Sequence, residues 1–256
     1  AGGVREGSLI YRVFEKISRA IYRSADQILI SSESFRDYLT EKFQIADEKI
    51  QYHPQYADVT CEGEIPAEKD TVDLMFAGNI GVAQSVPTIL KAAKLLERRK
   101  ELRWHIVGDG SELANCQRMA EELKLENVTF HGRKEHSEMP KYFAMADAML
   151  LTLIADPFIS LTLPGKAQAY MAAGKPIIGS ANGEIPLVIQ RSGCGFYTEA
   201  ENEQGLADAV ECFLEYPDWK QLGRNALDYY EQHFERKEFM DKLEAALEIR
   251  ELVHSK

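Results

Sequence analysis

The chain has 256 residues, 45% of them hydrophobic, enough for one large or two small domains built around a core. Its net charge of −11 excludes a nonspecific nucleic-acid binder, which needs a basic surface. Most of the acidity falls late: residues 1–60 hold 8 Lys and Arg against 9 Asp and Glu, residues 61–256 hold 22 against 32.

Residues 8–25 repeat apolar positions at helical spacing (Ile10, Val13, Phe14, Ile17, Ile21), with Arg12, Lys16, Arg19 and Arg23 as a basic stripe beside them. That stripe suits either an anionic membrane surface or a solvated helix face. A short strand at Gln27–Ile30 follows, then a helix to Phe43 that Ser32 or Ser34 can cap, then an extended piece from Lys49 to Tyr56. Residues 58–71 are acidic, carry Gly63 and Pro66, and read as a linker.

From Val72 strands and helices alternate. The strands are expected at 73–77, 103–107, 128–131, 148–153, 176–180 and 195–197. Amphipathic helices are expected at 85–99, 111–124, 136–146, 164–173 and 184–192. Strands of near-continuous apolar character in this alternation predict an α/β fold with a doubly wound parallel sheet. The tail from about Glu201 is helical, with breaks expected at Tyr216-Pro217 and Glu235-Arg236.

Cys61, Cys116, Cys194 and Cys212 are far apart and show no C-x-x-C spacing, which predicts free structural thiols in a reduced cytosolic setting. No apolar run approaches the roughly 18 residues of a membrane span, and charges interrupt the apolar residues of the first segment as no signal peptide would allow. The first residue is not methionine, which predicts a fragment or a processed product.

Three glycine turns end the first three strands of the sheet. Gly78-Asn79-Ile80-Gly81 lets the main chain approach a ligand, and the free amides of the next helix favour an anion. The spacing is not G-x-G-x-x-G, which counts against NAD; the alternative is a tight strand-to-helix turn. At Gly108-Asp109-Gly110-Ser111, either the turn abuts a ligand or Asp109 and Ser111 cap the next helix. At Gly132-Arg133-Lys134, Arg133 suits phosphate or stacking on a base.

The segment from Pro164 to Pro186 is the most informative. Pro164, Gly165 and Lys166 open a helix that Gly174 ends, a buried strand follows, and Gly183 starts a helix carrying Glu184. A lysine at a helix start opposes the dipole unless an anion is present, and a pyrophosphate would supply one. The alternative is an exposed surface lysine, and Glu184 is favourable in a first turn with or without a ligand. His53, His105 and His131 have no partner at metal-ligand spacing and read as structural, so no metal site is expected.

Five stretches in order (F-A-G-N-I-G-V-A-Q at 76–84, H-I-V-G-D-G at 105–110, F-H-G-R at 130–133, M-P-K-Y-F-A-M-A-D-A at 139–148, and the Pro164 segment with its G-E) resemble the family 4 glycosyltransferases of the GT-B fold. The branch most resembled builds bacterial O-antigen and capsule polysaccharide and includes N-acetyl-fucosamine-type transferases. The resemblance is strong over residues 72–215 and weaker over 9–58, which are similar to the end of such an enzyme's N-terminal domain.

The resemblance implies a remnant of an acceptor domain at 1–60, a linker at 61–71, a nucleotide-sugar domain at 72–215, and C-terminal helices at 216–256 packing back toward the remnant. It implies a UDP-sugar donor substrate and no cofactor, a lipid-linked or saccharide acceptor, retention at the anomeric carbon, and a cytoplasmic enzyme with peripheral contact to the inner membrane. Gly78, Asn79 and Gly81 would line the cleft near the donor phosphates, with Gly108, Asp109 and Gly110 on the same edge. Thr162, Leu163, Pro164, Gly165 and Lys166 would hold the pyrophosphate and stabilise the departing nucleotide. Arg133 would lie near the base or phosphates, and Lys166, Arg133 and Glu184 form the implied catalytic group. Many members carry two glutamates where this chain has Leu161 and Ala169; the second grips the ribose, so Gln168 or Glu184 would replace it. Two rivals are a GT-B-like UDP-sugar 2-epimerase, whose acidic and histidine constellation is not found, and a nucleotide-sugar-binding domain without transfer activity on its own.

Overall fold

The computed structural model describes residues 7–59 and 69–254. Cys61 and most of the expected linker, residues 61–68, lie outside the described residues. The chain divides into two compact units, residues 1–54 with 237–256, and residues 55–236.

The smaller unit opens with helix α1, Leu9–Ser24, capped by the Ser8 hydroxyl, which accepts from the Tyr11 amide at 3.2 Å. Strand β1 (Ile28–Ile30), helix α2 (Ser34–Asp37) and strand β2 (Ile50–Tyr52) follow, and β1 pairs with β2 in parallel. The expected serine cap is not made. Glu33 holds the N-cap position of α2 without a side-chain bond, and the Ser32 hydroxyl is buried with no partner among the described residues. The helix continues as a π turn over Tyr38–Lys42. Its core is Ile30, Leu39, Phe43, Ile45 and Ile50.

Helix α1 meets this unit through its polar and aromatic side. Tyr22 sets its ring edge-on to Phe43 at 5.0 Å, Arg19 donates to the Lys42 carbonyl at 3.1 Å, and Lys42 donates to the Tyr11 hydroxyl at 2.7 Å. The apolar side faces outward: exposure runs from 79% at Leu9 to 49% at Val13 and Ile17, and α1 buries none of its residues.

The larger unit is the expected doubly wound parallel sheet. Its elements are β3 (Val72–Ala77), α3 (Val86–Leu95), β4 (Leu102–Val107), α4 (Leu113–Glu122), β5 (Val128–Gly132), α5 (Met139–Met145) and β6 (Ala148–Thr152). Then come α6 (Gly165–Ala172), β7 (Ile177–Ser180), α7 (Glu184–Ser192), β8 (Gly195–Thr198), α8 (Glu203–Glu215) and α9 (Trp219–His233). The six strands lie in the order β5-β4-β3-β6-β7-β8, all parallel. Leu74, Phe76, Trp104, Ile106 and Leu150 fill one face of the sheet together with residues of α3 and α8. Strands buried on both faces read as apolar runs, and β3 and β6 are buried at every position.

Helix α10, Arg236–His254, belongs with the smaller unit from residue 237, where the His53 ring lies 4.0 Å from that of Phe239. Among the described residues no helix is long and apolar enough to cross a membrane.

Candidate functional site

Strands β3 and β6 are neighbours, yet β4 and β5 come between them in sequence. The winding therefore reverses at this pair, and a crevice opens beyond the carboxyl ends of the strands, the usual ligand site in such sheets. The opening is visible in the pairing, which runs only through Leu74↔Ala148 and Met75↔Met149. Two positions later, the Ala77 amide donates to the Tyr170 hydroxyl at 3.0 Å, and that hydroxyl donates back to the Ala77 carbonyl at 2.8 Å.

The glycine turns at this edge interlock through main-chain atoms. The Gly78 amide donates to the Val107 carbonyl at 2.9 Å, and the Ile80 amide to the Asp109 carbonyl at 2.8 Å. The Glu112 amide returns to the Ile80 carbonyl at 2.9 Å, and the Gly108 amide reaches the Gly132 carbonyl at 2.9 Å. A Cβ on Gly108 would stand 1.8 Å from the Gly78 carbonyl oxygen, so the two turns touch only because side chains are absent. Asn79 lies between them: a Cβ on Gly81 would meet its Nδ2 at 2.7 Å and one on Gly110 its Oδ1 at 2.8 Å.

Lys166 enters the crevice from the first turn of α6, whose N-cap, Pro164, offers no side-chain bond. Its Nζ lies 4.2 Å from the centre of the Phe76 ring and donates to the side-chain oxygen of Gln84. A Cβ on Gly78 would stand 3.7 Å from the same nitrogen. Burial of the amine pushes its pKa down to about 7, so it is poised between neutral and charged. Lys166 and Gly78 are therefore brought together as expected, with Asn79, Gly81, Gly108 and Gly110 on the adjoining turns.

The loop after β6 forms the other wall. Its Ile154 amide donates to the Ala83 carbonyl at 3.1 Å, and Asp156 Oδ1 accepts from the Phe158 and Ile159 amides at 2.8 and 2.9 Å. Thr162 turns its hydroxyl back to the Ile159 carbonyl at 2.7 Å, Leu163 is buried, and Gly165 faces open space. Gly183 adopts φ 72°, and a Cβ there would meet the Ser160 carbonyl at 2.0 Å, so the turns before α6 and α7 lie against each other.

Other expected residues sit differently. Glu184 and Gln168 are each 1% exposed rather than presented at the crevice edge. Gln168 is one residue from the Ala169 position, and a helical step of about 100° turns it inward, where its Oε1 has no partner among the described residues. Arg133 is exposed at the end of β5, two strands from β3, and makes no hydrogen bond or ion pair among the described residues. Asp109 accepts from the Gly110 amide at 2.7 Å, and neither Asp109 nor Ser111 caps α4, whose N-cap is Glu112.

The histidines of the sheet are structural in a way their spacing did not show. Asp73, at the start of β3, accepts from or shares a proton with His105 Nε2 at 2.7 Å, and His105 Nδ1 lies 2.9 Å from His131 Nε2. Lys69 bonds Asp73 and lies 2.9 Å from Asp147, whose carboxylate accepts from the Asp73 amide at 2.7 Å. Among the described residues no cluster of His, Cys, Asp or Glu could hold a metal ion. Residues that sequence reasoning left unassigned are Gln84, Phe76 and Tyr170, all at the crevice.

Comparisons with known proteins agree with this geometry. A family model described as Glycosyl transferases group 1 matches residues 62–231. A Pseudomonas aeruginosa protein named probable glycosyltransferase WbjE is 26% identical over 262 residues, covering 96% of this chain and 64% of its own. The N-acetyl-alpha-D-glucosaminyl L-malate synthase of Bacillus anthracis is 24% identical over 204 residues, 79% of this chain and 51% of that one. The chain thus spans less than two thirds of either relative. Among solved structures, HepE of Anabaena in complex with UDP and glucose matches with a TM-score of 0.76 at 15% identity, over 93% of this chain and 67% of HepE. A parallel sheet with an open switch-point crevice, and a family match over most of the chain, lead to one assignment: the chain belongs to the glycosyl transferases group 1, the family 4 glycosyltransferases of the GT-B fold.

Proposed function

We propose that residues 72–215 bind the nucleotide-sugar donor, a UDP-sugar, of a glycosyltransferase that extends a lipid-linked or saccharide acceptor in bacterial surface-polysaccharide synthesis, with retention at the anomeric carbon. The observation that carries this reading is the Lys166 amine, held at the switch-point crevice over the Gly78 turn. A diphosphate entering the crevice would raise the amine's proton affinity and meet the amides at the start of α6. The same charges would stabilise the negative charge that grows on UDP as the sugar leaves. The solved complex of HepE with UDP and glucose supports the choice of nucleotide. Arg133, exposed at the end of β5, is proposed to meet the base or phosphates as they arrive.

The outward apolar side of α1, flanked by Arg12, Lys16 and Arg23, supports peripheral contact with an anionic membrane surface.

Calorimetric titration with UDP tests the site. Wild-type protein should bind, and Lys166→Ala should weaken binding about tenfold or more, roughly 1.4 kcal/mol. Equal affinity in the two proteins, or conversion of UDP-GlcNAc to its 2-epimer, would overturn the reading.

A further inference from the structure

Lys166 does not stand alone in the crevice. The amine arrives from α6, on the β6 side of the switch point, whereas Gln84 arrives from the connection between β3 and α3. Their hydrogen bond therefore spans the gap between the two halves of the sheet. Everything around Gln84 fixes its main chain. It ends a short 3₁₀ turn, Val82–Gln84, its amide donates to the Gly81 carbonyl at 3.0 Å, and its carbonyl accepts from the Thr152 hydroxyl at 2.5 Å. The next residue, Ser85, is held at φ 44°, in the left-handed region, with its hydroxyl 2.9 Å from that of Thr88.

We propose that Gln84 is a positioning residue for Lys166: its side-chain oxygen holds the amine above the Gly78 turn and yields it to the donor's diphosphate. The proposal rests on the donor-site reading above. An ammonium has three hydrogens to place. The Phe76 ring face takes one side of the group, the Gln84 oxygen takes one hydrogen, and the others have no acceptor among the described residues. Among the described residues no carboxylate pairs with Lys166. A neutral amide suits this task. A carboxylate would bind the amine as an ion pair and repel the diphosphate, and an apolar side chain would leave a desolvated amine without an acceptor.

The test is UDP affinity from pH 6.5 to 9 for wild type, Gln84→Leu, Gln84→Glu and Lys166→Ala, with melting curves to confirm folding. In parallel, the Lys166 Cε resonance of 13C-lysine-labelled protein is titrated without ligand. Wild-type affinity should fall as pH rises through the amine pKa. Gln84→Leu should weaken binding about three- to tenfold at pH 7.5 and move the amine midpoint down. Gln84→Glu should move that midpoint up while also weakening binding. If both variants change affinity by one factor at every pH and leave the Cε midpoint in place, Gln84 is structural and the proposal is overturned. If Lys166→Ala binds UDP as the wild type does, the donor-site reading itself fails, whatever Gln84 does.

Discussion

The Tyr170 hydroxyl bonds both main-chain groups of Ala77, accepting from its amide at 3.0 Å and donating to its carbonyl at 2.8 Å. Alternate residues of β3 face β4, as the bonds from the Val72 and Gly78 amides show. Ala77 faces the other way, toward β6, where the ladder has already stopped. One phenol thus replaces the next rung and lets the strands part. Tyr170→Phe should leave two buried main-chain groups unsatisfied and cost about 1–3 kcal/mol, lowering the melting temperature by several degrees. A melting temperature equal to wild type would show that water or a shifted β6 satisfies them.

Gly108→Ala should be among the most damaging single changes in the larger unit. Its methyl would stand 1.8 Å from the Gly78 carbonyl, and its φ of 140° already disfavours a side chain. Overpacking against main chain costs about 1–3 kcal/mol or more. Gly165→Ala is the contrast, because its Cβ meets nothing within 4 Å. It should leave the melting temperature unchanged or raise it, by up to about 1 kcal/mol of helix propensity. Equal losses in the two variants would refute the interlocked-turn account.

Acid should weaken the fold in two windows. Burial pushes the His131 ring below its ordinary range, helped by His105 and Lys134, and burial with Lys242 does the same for His53. Between those lowered values and about 6.5 the unfolded chain binds more protons, so stability falls as pH drops through that range. Burial pushes the Asp73 carboxyl up, but the hydrogen bonds from His105 and Lys69 outweigh it and hold it below the ordinary range. Its contribution is present above the unfolded carboxyl pKa of about 3.9 and is lost as pH falls through the folded value. Ring titrations by NMR check the first window: midpoints at or above 6.5 for His53 and His131 would contradict it.

The protein should sediment with vesicles rich in anionic lipid and less with zwitterionic ones. Phe14→Glu or Ile17→Glu, placed on the exposed apolar side of α1, should abolish the association. Failure of the wild type to bind either vesicle would leave that face to a protein partner.

Much of the larger unit was legible because its signals are local. Apolar runs marked β3 and β6, and glycines marked the strand ends. Gly183 marked the start of α7, where its φ is 72°. The smaller unit was harder. Ser32 looks like a cap and is buried instead, since its carbonyl, not its hydroxyl, accepts the Phe35 amide. At the site, glycine turns and Lys166 could be found from neighbours in sequence. The bond from Lys166 to Gln84 joins residues 82 positions apart and leaves no periodic trace. The inward rotation of Gln168 and the burial of Glu184 depend on which helix side meets the sheet and on the packing of the turn at Ser160. Neither is written in a window of a few residues.

The turns after β3 and β4 are joined by main-chain bonds, so what the floor of the crevice demands of the sequence is bare backbone at Gly108 and Gly110, and drift is tolerated only at positions that bring no Cβ into the seam.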